Sequence, residues 1–428
     1  MEEAAAEIVI VGGGIVGTAL AWALAERGVA EVLVLDLDLA GVYASSELNA
    51  GGARATWWQP VNIASCARTL DFFRAHAAEL GFREVGYLWL YEDEGLFEGA
   101  RSHRDLQNRY GLGVEILQPA EVAARFPLVD RGLAHLVGAT HSPRDGLVNP
   151  NAVRRFFRER AEERGVRFRD RDYVAGVRTE RVVGAAGSRR RVGSIDVLRV
   201  RPGDPTDESG RLREILTTHR VPTALVEGET HIRCGLIVNC LGAWSPIFSA
   251  KIGVRDVTEP VRRQIALVDV HREDLAPGVR LEELGMVVLA SGLYLHPEGP
   301  HVLAGYSLPD EPPGFDFDYD DTAFFENEIW PRLAERCSSF ERCAHARGWA
   351  GLYAVTPDRS GIAGAVEGFT NLFEAHSFTG RGVMQSVGVA EGVAALIDAG
   401  RFEGLDLSPL SRARFSDPAR WVTEDLHI

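Results

Sequence analysis

The chain has 428 residues, 46% of them hydrophobic and 25% charged, which are the proportions of an ordinary globular protein with room for two or three domain-sized units or one large discontinuous fold. A formal net charge of -15 argues against nucleic acid as a partner, because phosphate binding calls for a basic surface. No run of 18 apolar residues occurs, so no transmembrane segment is expected, and an acidic start leading straight into a strand pattern predicts a cytoplasmic location.

The first predicted element is a short β-branched run, "EIVIV" (Glu7 to Val11), of the kind found in buried parallel strands. Gly12, Gly14 and Gly17 follow as GxGxxG within "VGGGIVG", then "TALAWALAER" at helical spacing, with Gly28 as its C-terminal cap. A second strand, "EVLVLD", ends at Asp36, nineteen positions after Gly17. Each part has a physical task. Gly12 permits a tight turn, Gly14 lets the backbone approach a pyrophosphate, and Gly17 lets helix and strand pack closely. The helix N-terminus favours phosphate charge, and Asp36 accepts hydrogen bonds from ribose hydroxyls. The pattern predicts dinucleotide binding without separating FAD from NAD; Asp36 and Asp38 would repel a 2′-phosphate and so argue against NADP.

A small-residue loop, Ala40 to Trp58, comes next in place of a third strand–helix repeat. Its glycines suit a flat ring system, while Trp57 and Trp58 read mainly as packing residues. Residues 59–81 read as helix, and 85–140 mix strands with helical pieces. At "DGLVNP", Asn149 is an N-cap and Pro150 the first helical position. Residues 180–230 read as a long hairpin with an insertion around 195–225, followed by a buried strand that ends at Leu241, Gly242 and Ala243. A second mixed segment spans 257–340, with strands "RRQIALVDV", "GLYLHPEG" and "HVLAGYS". Any disordered tail is confined to about the last ten residues. The alternation predicts an α/β, Rossmann-like nucleotide-binding domain (1–84, 141–256 and 341–428) interrupted twice by pieces of an α+β substrate domain (85–140 and 257–340) built on a mixed or antiparallel sheet. Five scattered cysteines, without a CxxC pair, read as reduced thiols, and no metal site is expected.

Six motifs in this order, "VGGGIVG", "SSELNAGGAR", "DGLVNP", "VNCLGAWS", "WAGLYAVTPD" and "SFTGRGVMQS", resemble the D-amino-acid oxidase-like superfamily of FAD oxidoreductases. That superfamily includes glycine and sarcosine oxidases, dimethylglycine dehydrogenases and D-amino-acid dehydrogenases. The resemblance spans nearly the whole chain. It implies FAD, held in an extended pose by Gly12, Gly14, Ile15, Val16, Gly17 and Asp36, and along its arm by Ser45, Ser46, Asn49, Ala50, Gly51 and Gly52. Val174 is placed at the adenine, with Cys240, Leu241, Gly242 and Trp244 along the cofactor. Gly351, Gly380, Arg381, Gly382, Val383 and Met384 complete the set at the flavin.

Departures from the family pattern carry information about chemistry. Relatives that bind flavin covalently use a late cysteine or an early histidine; Gly351 stands at the first position and "NAGGAR" lacks the second, so non-covalent FAD is expected. Leu303 occupies the place of the lysine that promotes oxygen reaction in one oxidase branch, and Lys251, the only lysine, lies elsewhere. That favours a dehydrogenase passing electrons to a quinone or other carrier, with O2 as the alternative acceptor. Met384 replaces a basic substrate-gripping residue, which leaves Arg381, Arg54, Arg262 and Arg263 as carboxylate candidates.

The expected reaction is oxidation of a C–N bond in an amino acid or secondary amine by hydride transfer to flavin N5, giving an imine that water hydrolyses. The catalytic candidates are Arg381, Arg54, Tyr294, His296 and Tyr306, with His376 read as a packed histidine. Two other readings are a 2-hydroxy-acid or polyol dehydrogenase and a non-enzymatic assembly factor. The second follows from the run Gly400 to Phe415, which resembles a mitochondrial branch associated with respiratory complex I assembly.

Overall fold

The structure is a computed structural model, and it describes residues 2–184, 187–204 and 207–425. Two eight-stranded sheets organise it. The first runs in the order Ile362–Ala365, Leu372–His376, Val226–Asn239, Glu2–Val11, Val32–Leu35, Arg167–Arg169, with the hairpin Asp172–Gly184 and Gly187–Val200 attached to Val226–Asn239. Its central pairings are parallel. Such strands are covered on both faces and read as continuous apolar runs, as Val32–Leu35 does with all four residues buried.

Helix Ile15–Glu26 covers this sheet, and residues 15 to 24 are all buried. The helix is apolar all round because it is packed all round, against Gly382–Ala399, Pro150–Glu162 and the sheet. Gly382–Ala399 is long and apolar enough by composition to cross a membrane, yet 67% of it is buried within the fold. The expected helix 59–81 is present as Pro60–Ala75 and Ala77–Leu80, parted at His76.

The second sheet runs Ala344–Val355, Glu259–Asp269, His301–Tyr306, Tyr294–Glu298, Met286–Val288, Tyr87–Tyr91, Gly138–Ser142, Glu115–Leu117. It is antiparallel except where Met286–Val288 pairs with Tyr87–Tyr91 in parallel, so it is mixed. Strand Ala344–Val355 pairs with Glu259–Asp269 along its whole length. Residues 344–355 therefore belong with the second sheet, although the sequence reading assigned everything after 341 to the nucleotide-binding part. Within the stretch 195–225, helix Glu208–Thr218 is formed, while 205–206 lie outside the described residues. Near the C-terminus Val422 and Glu424 are buried, 6% and 0% exposed, so the chain is packed into the fold as far as Glu424.

Candidate functional site

A cavity of about 780 Å³ runs between the two sheets, from the first glycine turn to the face of the second sheet. At one end, Gly12 has φ of +109°, and a Cβ there would lie 2.5 Å from the Cys240 carbonyl oxygen. A Cβ on Gly17 would lie 1.9 Å from the Gly12 oxygen. Neither position tolerates a side chain, and the reason is backbone packing. Asp36 accepts from the Gly13 N–H at 2.5 Å and the Asp38 N–H at 3.0 Å. Burial pushes its carboxyl up to about 6, against the pull of those two donors. The Ser46 hydroxyl accepts from the Ile15 N–H at 2.9 Å, at the first turn of the helix where an anion would be favoured.

Farther along, Val174 lines the cavity with Tyr173, Leu216, His219, Trp244 and Lys251. The insertion helix is fastened here. Trp244 Nε1 donates to the Leu216 oxygen at 2.9 Å, and the Tyr173 hydroxyl donates to the His219 oxygen at 2.8 Å. The sequence assigned this insertion no role; through Ile215, Leu216 and His219 it builds one wall.

At the opposite end three arginines and three tyrosines line the cavity: Arg54, Arg263, Arg381, Tyr87, Tyr294 and Tyr353. Arg54 is 2% exposed, with Cζ 3.5 Å from the Trp57 ring centre and 4.6 Å from that of Trp89. It donates to the Thr56 oxygen at 3.1 Å. Burial pulls its pKa down to about 10, with Tyr87 and Asp145 opposing the change. Asp145 is fixed by the Ala55 N–H and the Thr56 hydroxyl, both at 2.8 Å, and burial raises it to about 6. Arg381 is 1% exposed and lies 4.4 Å over the same Trp57 ring. Its Nε and Nη2 are buried and have no hydrogen-bond partner among the described residues. Burial lowers the Arg381 pKa, while Glu424 is the carboxylate that most supports its charge.

Alternation along the strands sorts the remaining candidates. Arg263 lines the cavity, whereas Arg262 faces away and is held by Glu311 at 2.7 Å and Asp320 at 3.0 Å. Tyr294 lines the cavity; Tyr306 does not, and packs under the Arg332 guanidinium at 4.0 Å. His296 shares the face of Tyr294 but lies farther along the strand, outside the lining, with its Nε2 2.7 Å from the Ala50 oxygen and its Nδ1 3.0 Å from that of Pro297. His376 borders the cavity, but its ring nitrogens are engaged by Ser377 Oγ at 2.6 Å and Glu374 Oε2 at 3.3 Å.

Of the residues expected along the cofactor, Gly17 and Gly51 are outside the lining and the others border it. Both glycines support the cavity from behind, since a Cβ on Gly51 would meet the Val148 oxygen at 2.6 Å. Sequence reasoning missed Tyr87, Tyr353 and Glu311. Tyr353 carried a usable signal: it sits two positions after Gly351, hence on the same strand face.

These residues fit FAD. The glycine cradle admits a diphosphate, Asp36 stands ready for a ribose, and the cavity is long. Comparison with known proteins agrees. The family model described as FAD dependent oxidoreductase, DAO, matches residues 7–396. The FAD-dependent oxidoreductase domain-containing protein 1 of Xenopus laevis is 29% identical, over 98% of this chain and 84% of its own. The D-amino acid dehydrogenase of Xanthobacter autotrophicus is 23% identical, over 96% of this chain and 100% of its own. Among solved structures, L-proline dehydrogenase from P. horikoshii has the same fold, with a TM-score of 0.77 and 23% identity, covering 97% of this chain and 99% of that one.

Proposed function

The chain belongs to the DAO family of FAD dependent oxidoreductases, and from that premise we propose that it oxidises a C–N bond of an amino acid or secondary amine. FAD, when bound, supplies a hydride acceptor at N5, and the imine that leaves is hydrolysed by water. The observation that carries the reading is Arg381: a guanidinium 1% exposed at the cavity, with two donor nitrogens that find no acceptor among the described residues. A buried cation left this way is costly unless an anion reaches it. A substrate carboxylate is such an anion.

The other side chains set the protonation of the amine. Arg54, Arg263 and Arg381 together disfavour an ammonium ion, so the amine binds neutral and no strong base is required. Burial raises Tyr87, Tyr294 and Tyr353, so their phenols stay protonated at neutral pH. They serve as hydrogen-bond donors and as walls against water. Trp57 holds both Arg54 and Arg381 by cation–π contact, which fixes the guanidinium groups without quenching their charge.

The test is an anaerobic titration of the FAD-loaded protein with N-methyl amino acids, D-amino acids and 2-hydroxy acids. Loss of visible flavin absorbance with the amines and not with the hydroxy acids is expected; bleaching by hydroxy acids alone would overturn the reading. Re-oxidation faster by a quinone or dye than by oxygen would identify a dehydrogenase, the outcome that Leu303 favours.

A further inference from the structure

The amino-acid reading requires one anion-binding group, and the cavity holds more than one. Arg263 and Arg381 come from different sheets. Arg263 lies on Glu259–Asp269, opposite Gly351, in the second sheet. Arg381 lies between the first sheet and helix Gly382–Ala399. They meet around one tyrosine. The Arg263 guanidinium is 5.4 Å from the Tyr353 ring centre, and a Cβ on Gly380 would lie 2.9 Å from the Tyr353 hydroxyl.

Among the described residues neither arginine makes an ion pair. The acidic neighbour of Arg263 is Glu311, and that carboxylate is committed to Arg262, with Nε to Oε1 at 2.7 Å. Arg263 spends one donor on the Arg262 carbonyl at 2.9 Å and keeps Nε buried without a partner. Arg381 keeps Nε and Nη2 in the same state. A monocarboxylic amine such as glycine or sarcosine would answer one of these charges and leave the other buried and unmatched, a penalty comparable to a lost charge-assisted hydrogen bond.

The geometry points to a substrate with two anionic groups: an amine carrying a second carboxylate, on its side chain or its N-substituent, with Arg263 as the residue that selects it. This rests on the amine-oxidation reading above. Arg381 takes the first anion on the flavin side, and Arg263 takes the second under the second sheet. Met286 and Ile265 line the same end and leave room for a short apolar spacer.

Two measurements test it. First, anaerobic reduction kinetics compare iminodiacetate, N-methylaspartate and glutamate with sarcosine, glycine and proline. The best dicarboxylic amine should exceed the best monocarboxylic one by about 10- to 100-fold in kcat/KM, the worth of one charge-assisted contact. In Arg263→Met that ratio should fall toward one, and in Arg263→Lys it should stay in between. Second, calorimetry follows a redox-inert dicarboxylate, glutarate, against acetate, with the FAD-loaded protein and each variant. Glutarate should bind more tightly, and Arg263→Met should abolish the difference.

The outcomes separate cleanly. Equal rates for mono- and dicarboxylic amines would overturn the second-anion site and leave amine oxidation standing. No reduction by any amine, with Arg263-dependent glutarate binding intact, would overturn amine oxidation and keep the site. Glutarate binding no tighter than acetate in the wild-type protein overturns the site directly.

Discussion

Arg381 and Asp36 mark the two ends of the cavity, and each gives a prediction at the scale of one side chain. Arg381 stands at the N-terminus of helix Gly382–Ala399, so its charge adds to the partial positive charge of the helix end. A cation there favours reduced, more negative flavin. Arg381→Met is expected to lower the flavin midpoint potential by roughly 20–60 mV, equivalent to about 1–3 kcal/mol for a two-electron couple. Dye equilibration measures it. An unchanged potential together with unchanged substrate affinity would make the residue structural. Asp36 gives a pH dependence whose sign follows from burial. Its folded pKa is raised, from 3.8 to about 6. The apoprotein therefore holds this group's full stability below about pH 4 and loses it as pH rises to about 6. FAD binding should run the other way, because ribose hydroxyls donate to the ionised carboxylate. FAD affinity should fall as pH drops through about 6, and Asp36→Asn should flatten that dependence while binding more weakly at pH 8. A wild-type affinity that is constant from pH 5 to 8 would show that Asp36 does not contact the ribose.

Elements decide which of these residues can act together, and here the sequence was legible in part. The first strand, turn, helix and second strand could be read directly, because their constraints are local: a Gly17 Cβ collides with the Gly12 backbone only five residues away. Gly17→Ala is accordingly expected to give a folded protein, by far-UV circular dichroism, that is purified without FAD and shows no thermal shift when FAD is added. Retained yellow colour would mean that the helix can move away at little cost. The second sheet was legible only to within a face. Alternation says that Arg262 and Arg263 point opposite ways, and so do Leu295 and Tyr294, but it does not say which way is inward. That choice is made by distant partners. Arg263 pairs with Gly351, Tyr294 with Gly305, and the Gly305 position is kept small because a Cβ would meet the Tyr294 ring at 2.3 Å. Tyr306, one residue on, belongs to the opposite face, which packs with the core of Leu88, Leu295 and Ala304. Tyr87 was invisible for the same reason, and Tyr353 was marked only by its spacing from Gly351. Each enters the cavity through pairings between strands far apart in sequence.

Across the whole molecule, the C-terminal residues tie the site to the rest of the fold. Arg414, 1% exposed, holds Asp358 through Nε at 2.6 Å and Nη2 at 3.0 Å. Asp358 also accepts from the Val422 N–H at 2.9 Å. Two residues on, the Glu424 carboxylate accepts from the N–H groups of Trp58 and Gln59 at 3.0 Å and from Asn62 Nδ2 at 2.9 Å, at the start of helix Pro60–Ala75. None of this was readable in a polar tail without periodicity, since its meaning lies in contacts from 56 to 366 residues back in the chain. Breaking the Arg414–Asp358 pair leaves a carboxylate uncompensated in the interior, so Arg414→Ala should cost roughly 3–5 kcal/mol, read as a lower melting temperature. Glu424 has a second consequence. It is the carboxylate that most supports the Arg381 charge, and it also supports Arg54. Glu424→Gln keeps the side-chain shape and one acceptor for the helix start, but removes a negative charge that offsets the two cations. The flavin should then be easier to reduce: the midpoint potential should rise, opposite in sign to Arg381→Met, and the double variant should lie near Arg381→Met alone if Glu424 acts through Arg381. Dye equilibration on the three proteins decides it. A potential that falls in Glu424→Gln, together with a melting temperature lowered as far as in Arg414→Ala, would mean that the tail reaches the site through packing and not through charge.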